Sequence, residues 1–179
     1  MPAGSCPAAE PRLPTPQGNG CEGAPMAVTP AIRFLKQRKI PHEAREYDHK
    51  VKGAEYAAEA LGWPVEAMAK TLVVALGDRT FCQCVLPGDV ELSLKKLARL
   101  AGVKAARMAT VDEAQKLTGY LVGGISPFGV RKPVPVWVHE SLMGFETIGV
   151  NGGRRGLIVF LAPQALVDAV GARVADLAA

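Results

Sequence analysis

The sequence lacks most of the motifs by which enzymes are usually read. It has no GxSxG elbow, no Walker phosphate loop and no HExxH pair. A hydrolase-type serine triad, a P-loop and a zincin site are therefore excluded. Its four cysteines form no CxxC, and no Cys/His pattern has zinc-ligand spacing. The histidines, His42, His49 and His139, are scattered and read as surface or strand-end residues. No cofactor or metal is expected. No apolar stretch approaches the roughly 18 residues of a membrane span. The N-terminus has no apolar h-region, so no secretory signal is expected. Charge is also modest: a net +4 permits a polyanionic partner without requiring one.

What is present fits one domain with a core. Of 179 residues, 49% are hydrophobic. The first 25 residues hold six prolines and four glycines and almost no large apolar side chains. A disordered tail is expected over 1–27, with Met26 as an alternative start, and a domain over 28–179. Cys82 and Cys84 flank Gln83, so on a strand both face one side. They read as small buried hydrophobes. Unpaired core thiols suit a reducing cytosol, so the expected location is cytoplasmic.

Thr29-Pro30 is a helix start, a hydroxyl cap followed by proline at the first helical position. Ile32 and Leu35 face inward, and Lys36, Arg38 and Lys39 suit the last turn. A short strand is expected over Ala44–Tyr47 and a helix over Glu55–Leu61, ended by Gly62. KTLVVAL at 70–76 and Thr80–Leu86, separated by Gly77-Asp78, predict a hairpin. Ser93 caps the helix LKKLARLAG. A weak strand is expected over Ala105–Ala109 and a short helix over Asp112–Leu117. GYLVGGISPFG at 119–129 reads as a strand interrupted by two glycines. Strands over Val134–His139, Phe145–Val150 and Gly156–Leu161 and a helix from Pro163 complete the chain. About seven strands alternate irregularly with about five helices. That predicts an α+β fold with a mixed, strongly curved, barrel-like sheet and surrounding helices.

Three places could carry chemistry. Lys70 sits at the mouth of an apolar strand, where a lysine snorkels, pairs or acts. Gly123 and Gly124 remove two Cβ atoms, which admits a ligand, or simply forms a bulge at a barrel corner. Pro127 and Gly129 turn the chain there and expose backbone N–H groups, which suit an oxyanion or phosphate. Asn151 to Gly156, NGGRRG, is a phosphate-binding loop with Arg154 and Arg155, or a plain hairpin turn. Lys95 and Lys96 lie just inside a helix N-terminus, against the macrodipole, a weak sign of an anion site.

KTLVVAL at 70–76, ELSLKKLARLAG at 91–102, TGYLVGGISPFG at 118–129 and NGGRRGL at 151–157 together resemble the YbaK/EbsC family. These are free-standing aminoacyl-tRNA deacylases related to the editing domain of bacterial prolyl-tRNA synthetases. The resemblance covers residues 28–178 and is closest to the YbaK branch, which clears cysteine wrongly attached to proline tRNA. It implies an enzyme of hydrolase or lyase type that splits the ester of Cys-tRNA(Pro). Lys70 matches the family's functional lysine, placed to hold the terminal phosphate or polarise the carbonyl. Gly123 and Gly124 match glycines that let the aminoacyl group lie against backbone, with Ser126 and Pro127 turning the chain and presenting donors. Tyr47 matches a tyrosine near the pocket. Asn151, Gly152 and Gly153 belong to the substrate loop, and Arg154, Arg155, Lys95 and Lys96 are candidates for tRNA phosphates. In that branch the substrate's own thiol attacks the ester, which makes Cys82 and Cys84 poor catalytic candidates.

The resemblance departs at two positions. Ile158 follows Leu157 where YbaK-like sequences often carry an acidic residue, and Asn151 stands where close relatives have serine. A more apolar pocket would accept alanine or another small side chain. The alternatives are thus a water-using deacylase of Ala-tRNA(Pro), or a non-catalytic module binding tRNA or a synthetase. The expected partners are the acceptor end of proline tRNA and prolyl-tRNA synthetase, because a small domain hardly reaches the anticodon.

Overall fold

The computed structural model describes residues 28–51 and 53–179, so the tail expected over 1–27 lies outside the described residues. The first helix, α1 (Pro30–Gln37), begins as its sequence dictates. Thr29 Oγ1 accepts the Ile32 N–H and proline opens the helix. Ala31, Ile32 and Leu35 bury one stripe. Arg38 lies just beyond the helix and stacks its guanidinium 4.6 Å from the Phe34 ring centre.

Strand β1 (Glu43–Glu46) and helix α2 (Ala54–Leu61) follow, and Gly62 closes α2 in the left-handed conformation that only glycine adopts without strain. A 3₁₀ turn over Val65–Ala67 leads into β2 (Ala69–Ala75), which pairs antiparallel with β3 (Phe81–Pro87). This is the expected hairpin. Helix α3 (Leu94–Ala101) is capped by Ser93, whose hydroxyl accepts the Lys96 N–H. Strand β4 (Arg107–Met108) runs into α4 (Val111–Thr118). Then come β5 (Val136–His139), a 3₁₀ turn over Glu140–Gly144, β6 (Ile148–Asn151), β7 (Leu157–Leu161), α5 (Pro163–Val170) and β8 (Arg173–Ala175).

The strands form two sheets. Three pair in the order β1-β7-β6, all antiparallel. Five pair in the order β4-β2-β3-β5-β8, with β3-β5 and β5-β8 parallel. Among the described residues the backbone link between the sheets is a parallel bridge, Met68 to Gly149. The fold is therefore α+β with mixed sheets, but the expected strongly curved barrel is not found. The stretch 119–129, read as an interrupted strand, forms no strand. Gly119, Gly123 and Gly129 adopt φ of +78°, +94° and +60°, and backbone turned that way does not join a ladder. Strand β8, not anticipated, extends the larger sheet on the far side.

The main core lies between the two sheets, α1 and α5, with Leu35, Phe128, Val138, Leu142, Val150 and Val159 buried in it. Val73 packs on α4 and Val74 packs with Leu97 of α3. Adjacent strand residues point to opposite faces, so the two helices cover opposite faces of the larger sheet. Cys82 and Cys84 are fully buried in the α3-side core. The sulfur of Cys82 and burial together push the Cys84 thiol up.

Candidate active site

The stretch 119–129 is held from below. Gly119 ends α4, and the Gly124 N–H closes a turn on the Leu121 carbonyl at 2.9 Å. The Tyr120 hydroxyl donates to the Phe128 carbonyl at 2.6 Å, and burial pushes its pKa up to about 12, so it stays a donor. The Ser126 hydroxyl accepts the Phe128 N–H at 3.3 Å, and its carbonyl accepts Gln83 Nε2 at 3.3 Å. Ser126 and Pro127 are therefore buried beneath the loop and do not reach the cavity described next.

The second glycine-rich loop, 151–156, presses against the first. A Cβ on Gly124 would come within 2.8 Å of Arg154 Cα and 3.0 Å of the Arg155 nitrogen. A Cβ on Gly123 would meet Arg155 Nε at 2.6 Å. The space these glycines leave is thus filled by the chain's own second loop. Asn151 ties the loops together: its Nδ2 donates to the Gly123 carbonyl at 3.2 Å and its Oδ1 accepts the Gly153 N–H at 2.8 Å. The Gly152 carbonyl accepts Thr29 Oγ1. Arg154 pairs with Glu46, and Arg155 donates through Nε and Nη2 to the Val122 carbonyl.

A cavity of about 330 Å³ opens between the paired loops, the start of β2, α2 and the β4–α4 junction. Four expected residues line it: Tyr47, Lys70, Gly123 and Asn151. Lys70 Nζ donates to the Gly88 carbonyl at 3.2 Å. No carboxylate lies within 4 Å of it among the described residues, so the ammonium is held by a carbonyl and not by an ion pair. Tyr47 is partly buried, which raises its phenol pKa and keeps it a donor. Gly124, Gly152 and Gly153 stand behind the wall rather than in it. Lys95 and Lys96 are not brought to the cavity, and Lys96 pairs with Asp176 at 2.6 Å.

Sequence reading missed part of the wall. Thr71, Ala57 and the segment Met108 to Val111 all line the cavity. The Thr71 hydroxyl is buried there without a partner. The β4–α4 junction had a usable signal: Thr110-x-x-Glu113 is a capping box, which places a helix start beside a strand end. Ile158, the apolar departure, is also in the wall. No lining side chain is Cys, Ser, His, Asp or Glu, so the cavity offers a cation and hydrogen-bond donors but neither a strong nucleophile nor an ordinary base. Among the described residues no three His, Cys, Asp or Glu side chains gather as a metal site.

A cavity with a lysine in its described wall and two hydrogen-bonded loops suits an ester whose oxygen gains charge. Known proteins supply the class of ester. Residues 48–169 match the aminoacyl-tRNA editing domain. The chain belongs to that family. It is 36% identical over 154 residues to an Enterococcus faecalis protein provisionally named Cys-tRNA(Pro)/Cys-tRNA(Cys) deacylase EbsC, covering 83% of this chain and 92% of that one. It is 30% identical over 140 residues to the proline–tRNA ligase of Sulfurihydrogenibium, covering 75% of this chain but only 24% of the ligase. A crystal structure provisionally described as a trans-editing enzyme for prolyl-tRNA synthetase superposes with a TM-score of 0.77 at 30% identity, covering 86% of this chain and 99% of that one. The fold and the family thus agree on aminoacyl-tRNA editing. No described helix is long and apolar enough to cross a membrane.

Proposed function

We propose that this editing domain removes cysteine from Cys-tRNA(Pro), with Lys70 as the group that stabilises the developing oxyanion. The observation that carries this reading is the Lys70 ammonium, unpaired by any described carboxylate, at the wall of a cavity without a protein nucleophile. A fixed cation in a largely apolar enclosure is worth far more than one in water.

The reaction then uses the substrate's own thiol. The sulfur bonds to the ester carbonyl carbon, negative charge gathers on the carbonyl oxygen near Lys70, and the carbon–oxygen bond to the ribose breaks. The thiol proton ends on the ribose hydroxyl, leaving a cyclic thioester and free tRNA. Tyr47, Gly123 and Asn151 position the aminoacyl group. Ile158, Ala57 and Met68 give it an apolar surround. That surround also supports a second reading, water-driven removal of alanine from Ala-tRNA(Pro), because a small apolar side chain pairs with it without loss. The likeness to a segment of proline–tRNA ligase supports prolyl-tRNA synthetase as the partner that selects the tRNA. Co-precipitation of the two in the presence of tRNA checks that; its absence removes the partner.

The test is the rate of ester loss from cysteinyl, seryl, alanyl and prolyl tRNA(Pro), for wild type and Lys70→Ala. Fast loss of the cysteinyl ester alone, lowered about 10²–10³-fold in the variant, supports the thiol route. Loss of the alanyl ester moves the protein to the second reading. No loss from any ester overturns both and leaves a binding module.

A further inference from the structure

Beside the main cavity lies a smaller notch of about 30 Å³, walled by Tyr47, His49, Val51, Gly53, Gly123 and Arg155. It shares Tyr47, Gly53 and Gly123 with the cavity, so the two recesses adjoin across those residues. We propose that the notch is an anion subsite in which Arg155 and His49 take the 5′ phosphate of the nucleotide whose 3′ ester occupies the cavity. The proposal rests on the editing reading above.

The two adjacent arginines look equivalent in sequence, and the structure separates them. Arg154 is spent on Glu46. Arg155 has no carboxylate within 4 Å among the described residues. Its guanidinium is aimed instead by two bonds to one carbonyl, Val122, at 3.3 and 3.0 Å from Nε and Nη2. A guanidinium carries five N–H donors, so three remain for an anion. His49 is held across the Gly156 backbone, where a Cβ would come within 2.7 Å of its Nδ1. The segment is pinned there by the Tyr47 N–H on the Gly156 carbonyl at 2.9 Å.

The remaining walls favour the same charge. Gly53 contributes no side chain and has nothing within 4 Å of an added Cβ, which leaves its backbone open, while the missing Cβ of Gly123 is what lets Arg155 lie against the notch. Gly53 is also the N-cap of α2, and among the described residues no side chain caps that end, where the helix dipole favours an anion. Glu55 is the acidic residue of that turn, and it is exposed and outside both recesses. The Tyr47 phenol, kept protonated by burial, adds a donor. The notch is small beside the cavity, about 30 Å³ against 330 Å³.

Two small substrates isolate the subsite: the 3′-aminoacyl ester of adenosine and the same ester of adenosine 5′-monophosphate. The readout is the ratio of their kcat/KM values. Wild type should favour the phosphorylated ester about tenfold, as expected for charge-assisted bonds to one anion. Arg155→Lys combined with His49→Gln should bring the ratio close to one. A ratio near one in wild type overturns the proposal. So does a double variant that slows both esters while keeping the wild-type ratio, because that marks a structural prop. Wild type inactive on both esters and on aminoacyl-tRNA sinks the editing reading and the subsite together. Activity with no phosphate preference sinks the subsite alone.

Discussion

Gly124 lacks a Cβ for a reason unrelated to backbone freedom, since its φ is not positive. The atoms an added methyl would meet are Arg154 Cα at 2.8 Å and Arg154 C and Arg155 N at 3.0 Å, all backbone. Backbone cannot rotate aside as a side-chain end does, so the two loops would have to part. Gly124→Ala should therefore cost about 1–3 kcal/mol by overpacking. For a chain of this size that is a fall of several degrees in melting temperature. Gly144 makes the control: nothing lies within 4 Å of its added Cβ. Thermal melts of Gly124→Ala and Gly144→Ala settle the matter, and equal melting temperatures would mean that the loops yield freely. Deacylation should fall in the first variant only, because parting the loops releases Asn151 from the Gly123 carbonyl and Arg155 from Val122.

Helix α4 shows how an element, rather than a residue, builds the wall. Thr110 and Glu113 bond reciprocally across its first turn, and Arg107 of β4 grips the same carboxylate at 2.8 and 2.9 Å. Thr110 and Val111 line the cavity, so the cap fixes the position of that wall. Thr110→Ala should lower stability by about 1 kcal/mol, read from denaturant or thermal unfolding. The pair also sets a pH dependence. Arg107, then the Thr110 N–H, holds the Glu113 carboxyl at about 2, below its ordinary 4.5. A depressed carboxyl stabilises the fold above its unfolded value, and that contribution disappears as pH falls toward the folded one. The melting-temperature gap between wild type and Glu113→Gln should accordingly be full above 4.5 and close as pH approaches 2. A gap constant with pH would assign the effect to shape rather than charge. This junction was only half legible. The strand and helix were anticipated, whereas their service to the site depends on where β4 meets β2, which no local pattern encodes. The opposite holds at 119–129, where local propensity misleads. Tyr120, Leu121 and Val122 favour a strand by propensity, yet glycines at positive φ on both sides make a loop.

At the scale of the whole molecule the hairpin, the helix caps and the buried thiols were legible because alternation, capping hydroxyls and turn residues are local signals. Of the site residues implied by motif resemblance, Lys70, Tyr47, Gly123 and Asn151 share one cavity wall, while Gly124, Ser126, Pro127, Gly152 and Gly153 do not reach it. Thr71, Ala57 and the Arg154–Arg155 asymmetry were not legible, since each depends on elements distant in sequence. The division into two sheets was also hidden, and it makes Gly149 a structural joint. Gly149 bridges to Met68, and an added Cβ would meet Met68 Sδ at 2.8 Å and Ile158 Cγ2 and Phe160 Cε1 at 3.1 Å. Met68 and Ile158 both line the cavity. A thioether is flexible and can give way, so much of the clash in Gly149→Ala should be relieved by moving Met68. Phe160 and Ile158 lie in the same small core with Met68, which leaves the cavity as the open direction for that movement. The variant should therefore lose little stability, about 1 kcal/mol, yet show a larger fractional loss of kcat/KM for a bulkier ester than for a smaller one. Melting temperature and the cysteinyl-to-alanyl rate ratio, measured on one preparation, decide it. A lowered melting temperature with an unchanged ratio would mean that the strain is absorbed in the sheet joint and never reaches the site.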